Sequence, residues 1–236
     1  LLDMDGTLYL GDEVIHGAID FIHTLEQTGR RYIYLTNNSS QAGTDYVNRL
    51  RKLGFPCEME NVFTSGMATG MYLAEEYKGV PVYPVGTPAF LDELRSYGVP
   101  LTDGEDAGVV CVGFDTTLTY EKLERAVHFM AAGEVMPDCG SICALLTAST
   151  GVKPLYIGKP NRDMVDIISN HTGVPNSVIC CVGDRLYTDI AVAVNAGSQS
   201  VLVMSGETTP EILEESETKP GWVMADVAEL ADVLKG

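Results

Sequence analysis

The sequence predicts an α/β protein of Rossmann-like type, a parallel sheet with helices on its faces, and a second αβ run in the middle of the chain. Three observations predict it. Segments of strand composition alternate with segments of helical periodicity along nearly the whole chain. One strand candidate, SVICCVGD, is a continuous apolar run, as a central parallel strand covered on both faces requires. With 236 residues and 45% apolar content, the chain can bury one large core or two small ones.

The elements follow in order. LLDMD reads as the first strand. GAIDFIHTLEQTG reads as a helix, with Ile19, Ile22 and Leu25 at helical spacing and Gly29 as its stop. RRYIYLTNN is a strand rich in β-formers that ends at Thr36, and TDYVNRLRKLG a helix closed by Gly54. NVFTSG is a short strand and MATGMYLAEEY a helix. This βαβαβα order implies parallel pairing with right-handed crossovers. The second run has VPVYPVG as strand, TPAFLDELRSYG as helix, AGVVCVGFD as strand and TYEKLERAVHFMAAG as helix. MPDCGSICALLTASTG fits neither pattern clearly. After KPLYIGKP come the helix RDMVDIISNHTG, the strand SVICCVGD, the helix TDIAVAVNAG, the strand SQSVLVMSG and a closing VAELADVLKG. No internal repeat and no low-complexity linker interrupts the series.

Composition bounds the partners. Lysine and arginine number 15 against 33 acidic residues, a net charge of −18. Such a surface argues against a nucleic-acid backbone as partner. A small anionic substrate needs only local positive charge. No apolar run approaches the roughly 20 residues of a membrane helix, and no stretch reads as a signal peptide. The six cysteines form no CxxC pair and no zinc-type cluster with histidine. Cys180 and Cys181 read as core packing, and Cys139 and Cys143, four apart, as neighbours on a helical face. Reduced thiols suit a cytoplasmic protein.

In parallel α/β sheets ligands bind at the carboxyl ends of strands, so the polar residues there carry the chemistry. Asp3 and Asp5 end the first strand. Thr36, Asn37 and Asn38 end the second. Asp184 follows SVICCVG, with Asp189 five residues on, and Lys159 precedes a core helix in GKPN. Each has an ordinary alternative, such as an Asp-Gly turn or a helix cap. Together at successive strand ends they point elsewhere. Asp3, Asp5 and Asp184 repel one another unless a cation lies among them, and hard oxygen donors suit Mg²⁺. Lys159 adds a point charge for an anion. Thr36 and the backbone N–H groups after it can cap phosphate oxygens. A nucleophilic carboxylate in such surroundings describes phosphoryl transfer through an aspartyl-phosphate, with Asp5 as acid and base.

DMDGTL, LTNN, GKP and GDRLYTDI resemble the four motifs of the haloacid dehalogenase (HAD)-like phosphatases. LTNNSS, TSGMAT, LTYEKL and CGSICA extend the resemblance to the NagD-like, p-nitrophenylphosphatase-type subgroup over nearly the whole chain. The resemblance implies Asp3 as nucleophile and Asp5 as acid/base. It implies Thr36 and Lys159 as phosphate ligands, with Gly6 and Asn37 beside them. Mg²⁺ would be held by Asp3, Asp5 through its backbone carbonyl, and Asp184, with Asp189 orienting the metal shell. It further implies a core of residues 1–78 and 153–236 with an inserted α/β cap, 79–152, that selects the substrate and pairs two copies as a homodimer. The expected activity is hydrolysis of a small phosphorylated metabolite, a nucleoside monophosphate or sugar phosphate, with p-nitrophenyl phosphate as a test substrate. A phosphotransferase or mutase using the same nucleophile, and a non-catalytic metabolite-binding protein, are the alternatives.

Two features depart from the family pattern. Gly133 to Pro137 joins the TYEKLERAVHFMAAG helix to CGSIC abruptly, where relatives carry more chain. Tyr187 lies between the two aspartates of the fourth motif, where a polar or charged residue is usual, and reads as packing against the surface rather than facing the site entrance.

Overall fold

The computed structural model describes residues 1–130, 134–137 and 140–235. Cys139 and Gly133 lie outside the described residues. The chain begins with a hairpin, β1 (Tyr9–Leu10) and β2 (Glu13–Val14), turned at Gly11, whose positive φ of 58° suits a two-residue connection. Then follow α1 (Ala18–Gln27), β3 (Tyr34–Thr36), α2 (Gly43–Lys52), β4 (Val62–Thr64) and α3 (Ser65–Glu76). The middle of the chain forms β5 (Val82–Val85), α4 (Pro88–Ser96), β6 (Val109–Val112), α5 (Tyr120–Met130), β7 (Glu134–Pro137) and α6 (Gly140–Thr150). The last part forms α7 (Asp163–Thr172), β8 (Cys180–Gly183), α8 (Ala191–Ala196), β9 (Gln199–Val203), α9 (Pro210–Glu215), β10 (Trp222–Met224) and α10 (Val227–Lys235).

These elements make two compact units, Leu1–Thr36 with Tyr46–Phe63 and Lys159–Gly236, and Asn37–Asp45 with Thr64–Gly158. In the first, the sheet runs β10, β9, β8, the segment at Leu2, β3, β4. LLDMD forms no continuous strand, yet it fills a central place. Leu2 N donates to Ile33 O (2.8 Å) and Leu2 O accepts from Leu35 N (2.7 Å). On the other side, Asp3 N donates to Val182 O and Val182 N to Leu1 O, both at 2.9 Å. The strand is cut short because the chain turns sharply after Asp3.

Side-chain alternation sorts the first unit's core into two faces. Val182, Val201 and Val203 pack with Phe21, Ile22, Leu50 and Val227 on one side. Cys181 packs with Val165 and Val192 on the other, and Leu202 with Leu186 and Ile190. The core-packing reading of Cys181 therefore holds, and Cys180 is half-buried against the first cluster.

In the second unit β5, β6 and β7 pair in parallel in that order. The stretch MPDCGSICALLTASTG, ambiguous in sequence, contributes the end of β7 and then α6. Tyr83, Val85, Val110, Val112, Ala126, Ile142 and Leu146 form this unit's core. Phe90 lies against two chain turns. A Cβ at Gly86 would come within 2.2 Å of its ring, and one at Gly113 within 3.0 Å. Thr87 caps α4 by accepting from Phe90 N at 3.2 Å. Phe90→Ala is expected to destabilise the protein by about 3–5 kcal/mol, because its site has backbone on two sides and cannot collapse. Urea denaturation of the variant measures this, and a loss below about 1 kcal/mol contradicts the packing.

Candidate active site

The first turn of the chain builds the site's floor. Met4 O accepts N–H bonds from Thr7 (3.3 Å), Leu8 (2.9 Å) and Tyr9 (3.2 Å), so the backbone reverses within a few residues of Asp3. Gly6 makes this possible at φ 88°. It is needed for a second reason: a Cβ at Gly6 would lie 2.6 Å from Asp184 Oδ2. Asp5, on the same turn, is exposed. Thr36 closes β3, next to the Leu2 segment on the sheet. Asn37 falls in the second unit, where its carbonyl accepts from Ser65 Oγ at 2.7 Å.

The fourth motif supplies two more carboxylates from one turn. Asp184 follows β8 directly. Leu186–Ile190 then forms a single wide π-type turn before α8, a feature frequent at functional sites. Both Asp189 N (3.0 Å) and Ile190 N (3.2 Å) donate to Arg185 O. The wide turn folds Asp189 back under β8, so close that a Cβ at Gly183 would be 2.4 Å from its side chain. Arg185 N donates to Asp189 Oδ2 at 3.1 Å.

Lys159 Nζ donates to Asp3 Oδ1 and to Asp189 Oδ1, each at 2.5 Å. Burial opposes its charge, but Asp189 and Asp3 outweigh that and raise its pKa above the ordinary lysine value. Burial pushes the Asp3 carboxyl from 3.8 up to about 7, against the pull of Lys159 and with the repulsion of Asp189 and Asp184 added. Asp184 is raised too, first by burial, with the Glu207 N–H working the other way.

Burial is the first cause, and a charge imbalance adds to it: the ammonium of Lys159 sits among the three carboxylates Asp3, Asp184 and Asp189. Ionised, the group carries −2, which one divalent cation neutralises. The donor set fits such an ion. Asp3, Asp184 and Asp189 each offer an oxygen, all within 4.8 Å of one another. Asp184 is 1% exposed, and its Oδ1 has no hydrogen-bond partner. A buried carboxylate oxygen without a donor is costly unless a cation serves it. Oxygen donors alone suit Mg²⁺ or Ca²⁺.

The structure thus gathers Asp3, Lys159, Asp184 and Asp189 in one unit, with Gly6 against them. Asp189, expected as an orienting residue, is a full member of the carboxylate group. Asp5 has its side chain outside that group. Tyr187 lies on the surface. It is 59% exposed, and its hydroxyl donates to Glu207 at 3.0 Å. No sequence signal singled out the loop Ser205–Thr208, whose Glu207 N–H and Thr208 hydroxyl hold Asp184. Its only mark is one it shares with the others, a glycine and hydroxyl residues directly after an apolar strand.

A family model described as haloacid dehalogenase-like hydrolase matches residues 1–100, and a HAD-hydrolase-like model matches 156–230. The 5'-nucleotidase YutF of Bacillus subtilis is 34% identical, over 93% of this chain and 92% of that protein. The chain belongs to the haloacid dehalogenase-like hydrolases. Within this family it is similar to the crystal structure of a 4-nitrophenylphosphatase from Thermotoga maritima, 40% identical at a TM-score of 0.95, covering 99% of this chain and 95% of that one. NagD from E. coli K-12 is 30% identical with a TM-score of 0.91, over 97% and 96%. A glycerol phosphate phosphatase from Mycobacterium tuberculosis, in complex with magnesium, is 26% identical with a TM-score of 0.90, over 99% and 77%. The resemblance to the NagD-like, p-nitrophenylphosphatase-type subgroup is upheld.

The raised Asp3 pKa makes the metal-free HAD-like chain sensitive to pH. Between 3.8 and about 7 the folded state binds a proton that the unfolded state has released. Stability from this group is therefore present in acid and lost as pH rises through about 7. Urea denaturation in chelator is expected to show stability falling across this window, and Asp3→Asn is expected to reduce the slope. A wild-type slope of the opposite sign contradicts the charge imbalance.

Proposed function

We propose that this chain is a Mg²⁺-dependent phosphatase of small phosphomonoesters that works through an aspartyl-phosphate on Asp3. The observation that carries the reading is the gathering of the Asp3, Asp184 and Asp189 carboxylates, with Lys159 on Asp3 and Asp189 and with Asp184 Oδ1 buried and unpartnered. Asp3, Asp184 and the Asp5 carbonyl hold the metal in this reading, and Asp189 orients its shell. When bound, Mg²⁺ screens the charge of Asp3 against a dianionic ester and stabilises charge on the transferring phosphoryl group.

An Asp3 carboxylate oxygen bonds to phosphorus as the ester P–O bond breaks. Asp5, exposed on the turn above, gives its proton to the departing alkoxide. It then takes a proton from the water whose oxygen attacks the same phosphorus, and Asp3 leaves as a carboxylate with inorganic phosphate as product. Lys159 keeps its charge throughout and faces the phosphoryl oxygens. Thr36 and Gly6 supply further phosphate contacts.

Residues 79–152, within the second unit, serve as the cap that selects the substrate and limits water. The name of the B. subtilis relative supports a nucleoside monophosphate as substrate class, and that of the M. tuberculosis relative a small polyol phosphate. The proposal extends to a cytoplasmic location, in keeping with the five free cysteines among the described residues, and to a homodimer through the cap.

Release of p-nitrophenol from p-nitrophenyl phosphate tests the reading. Wild type is expected to turn over with Mg²⁺ and to stop with chelator, and Asp3→Asn to be inactive. Equal, negligible rates for wild type and Asp3→Asn sink the proposal. Lys159→Ala is expected to lower kcat/KM by about 100-fold or more, the scale of one lost electrostatic donor, roughly 3 kcal/mol. Asp5→Asn is expected to turn over slowly, with little free phosphate released per phosphoenzyme formed. A normal steady-state rate contradicts its role.

A further inference from the structure

The loop Ser205–Thr208 follows β9 and lies outside all four family motifs, yet it hydrogen-bonds Asp184 at two atoms. Glu207 N donates to Asp184 Oδ2 at 2.7 Å. Thr208, itself 5% exposed, donates its hydroxyl to Asp184 O at 2.5 Å. Gly206 passes so near that a Cβ there would lie 2.1 Å from Oδ2. The same loop reaches the first turn, where Ser205 Oγ donates to Gly6 O at 3.1 Å. Glu207 is held in turn from the outside: Arg185 Nε lies 2.7 Å from its Oε2, and Tyr187 donates to its carboxylate.

Asp184 has two carboxylate oxygens and a carbonyl. The loop occupies Oδ2 and the carbonyl and leaves Oδ1 buried and unpartnered. A free carboxylate could rotate and present either oxygen or both. This one is fixed with a single oxygen bare, and a carboxylate oxygen of Asp184 lies within 4.8 Å of oxygens of Asp3 and Asp189.

We propose that Ser205–Thr208 is a positioning clamp that presents Asp184 Oδ1 to the divalent cation, with Thr208 and Glu207 as positioning residues. Arg185 and Tyr187 brace the clamp through Glu207, which gives exposed Tyr187 a role. The inference rests on the reading of the carboxylate group as a Mg²⁺ site. Its physical basis is that groups orienting a ligand set the affinity of the metal almost as strongly as the ligand does.

Titration calorimetry with Mg²⁺ alone, on the full chain, tests it. Thr208→Val removes the hydroxyl donor while keeping the shape, and is expected to weaken Mg²⁺ binding by about 10-fold or more. Thr208→Ser restores the donor and is expected to bind within about threefold of wild type on the same scale. Saturating Mg²⁺ is expected to return most of the Thr208→Val turnover, which a merely structural defect would not do. Gly206→Ala, whose Cβ would displace Oδ2, provides a second variant should Thr208→Val fold poorly, and is expected to weaken Mg²⁺ binding likewise. Wild-type binding with unchanged affinity in the folded variants overturns the clamp alone. A wild type that takes no Mg²⁺ overturns the metal reading and the clamp with it.

Discussion

One buried ammonium is asked to balance more negative charge than it carries. Lys159 is 8% exposed and holds Asp3 and Asp189 directly, while Asp184 stands in the same carboxylate group with only the more distant charge of Arg185 to favour its ionised form. Removing such charges from water costs several kcal/mol each, and the lysine can offset only part of that. Burial, with carboxylate repulsion added, raises the pKa of Asp3 and Asp184, and Asp184 Oδ1 stays bare. A site short of positive charge attracts a divalent cation, and only with that cation in place would the proposed phosphoryl dianion be drawn in rather than repelled. The large negative charge of the whole chain, −18, does not contradict an anionic substrate. The relevant field is local, and low-dielectric walls strengthen it.

The fold makes the shortage possible by bringing distant parts of the chain to one rim. Parallel strands all deliver their carboxyl ends to the same edge. Leu2 and β8 are neighbours in the sheet, so Asp3 and Asp184 emerge side by side although 181 positions separate them in the chain. Close approach then depends on missing side chains. Gly6, Gly183 and Gly206 each leave space that an aspartate fills. The glycines work as part of the site's shape, and only Gly6 among these three also needs a positive φ.

Within the site the carboxylate atoms are fixed by groups that never meet a substrate in the proposed reaction. The π-type turn aims Asp189 inward, and loop Ser205–Thr208 selects which oxygen of Asp184 stays free. These contacts come from backbone N–H groups and hydroxyls, which residue type alone does not mark. The family motifs mark residues that react or ligate, because those must be one amino acid. The supporting backbone donors can be almost any residue, so a motif passes over them.

Much of this protein was legible in the order of its residues. Apolar periodicity and turn residues determined an alternating α/β chain, and carboxylates at strand ends determined phosphate and metal chemistry, since each is a local property of a few consecutive residues. Tertiary structure alone decided the rest. It decided that LLDMD would fill a strand's place through hydrogen bonds on both sides without forming a continuous strand, and that the ambiguous stretch after Gly133 would hold α6. It brought Asp189 into the carboxylate group, left Asp5 outside it and exposed Tyr187. In each case the outcome depends on which groups from remote positions come within about 3 Å, the range over which hydrogen bonds form. No local pattern encodes that distance.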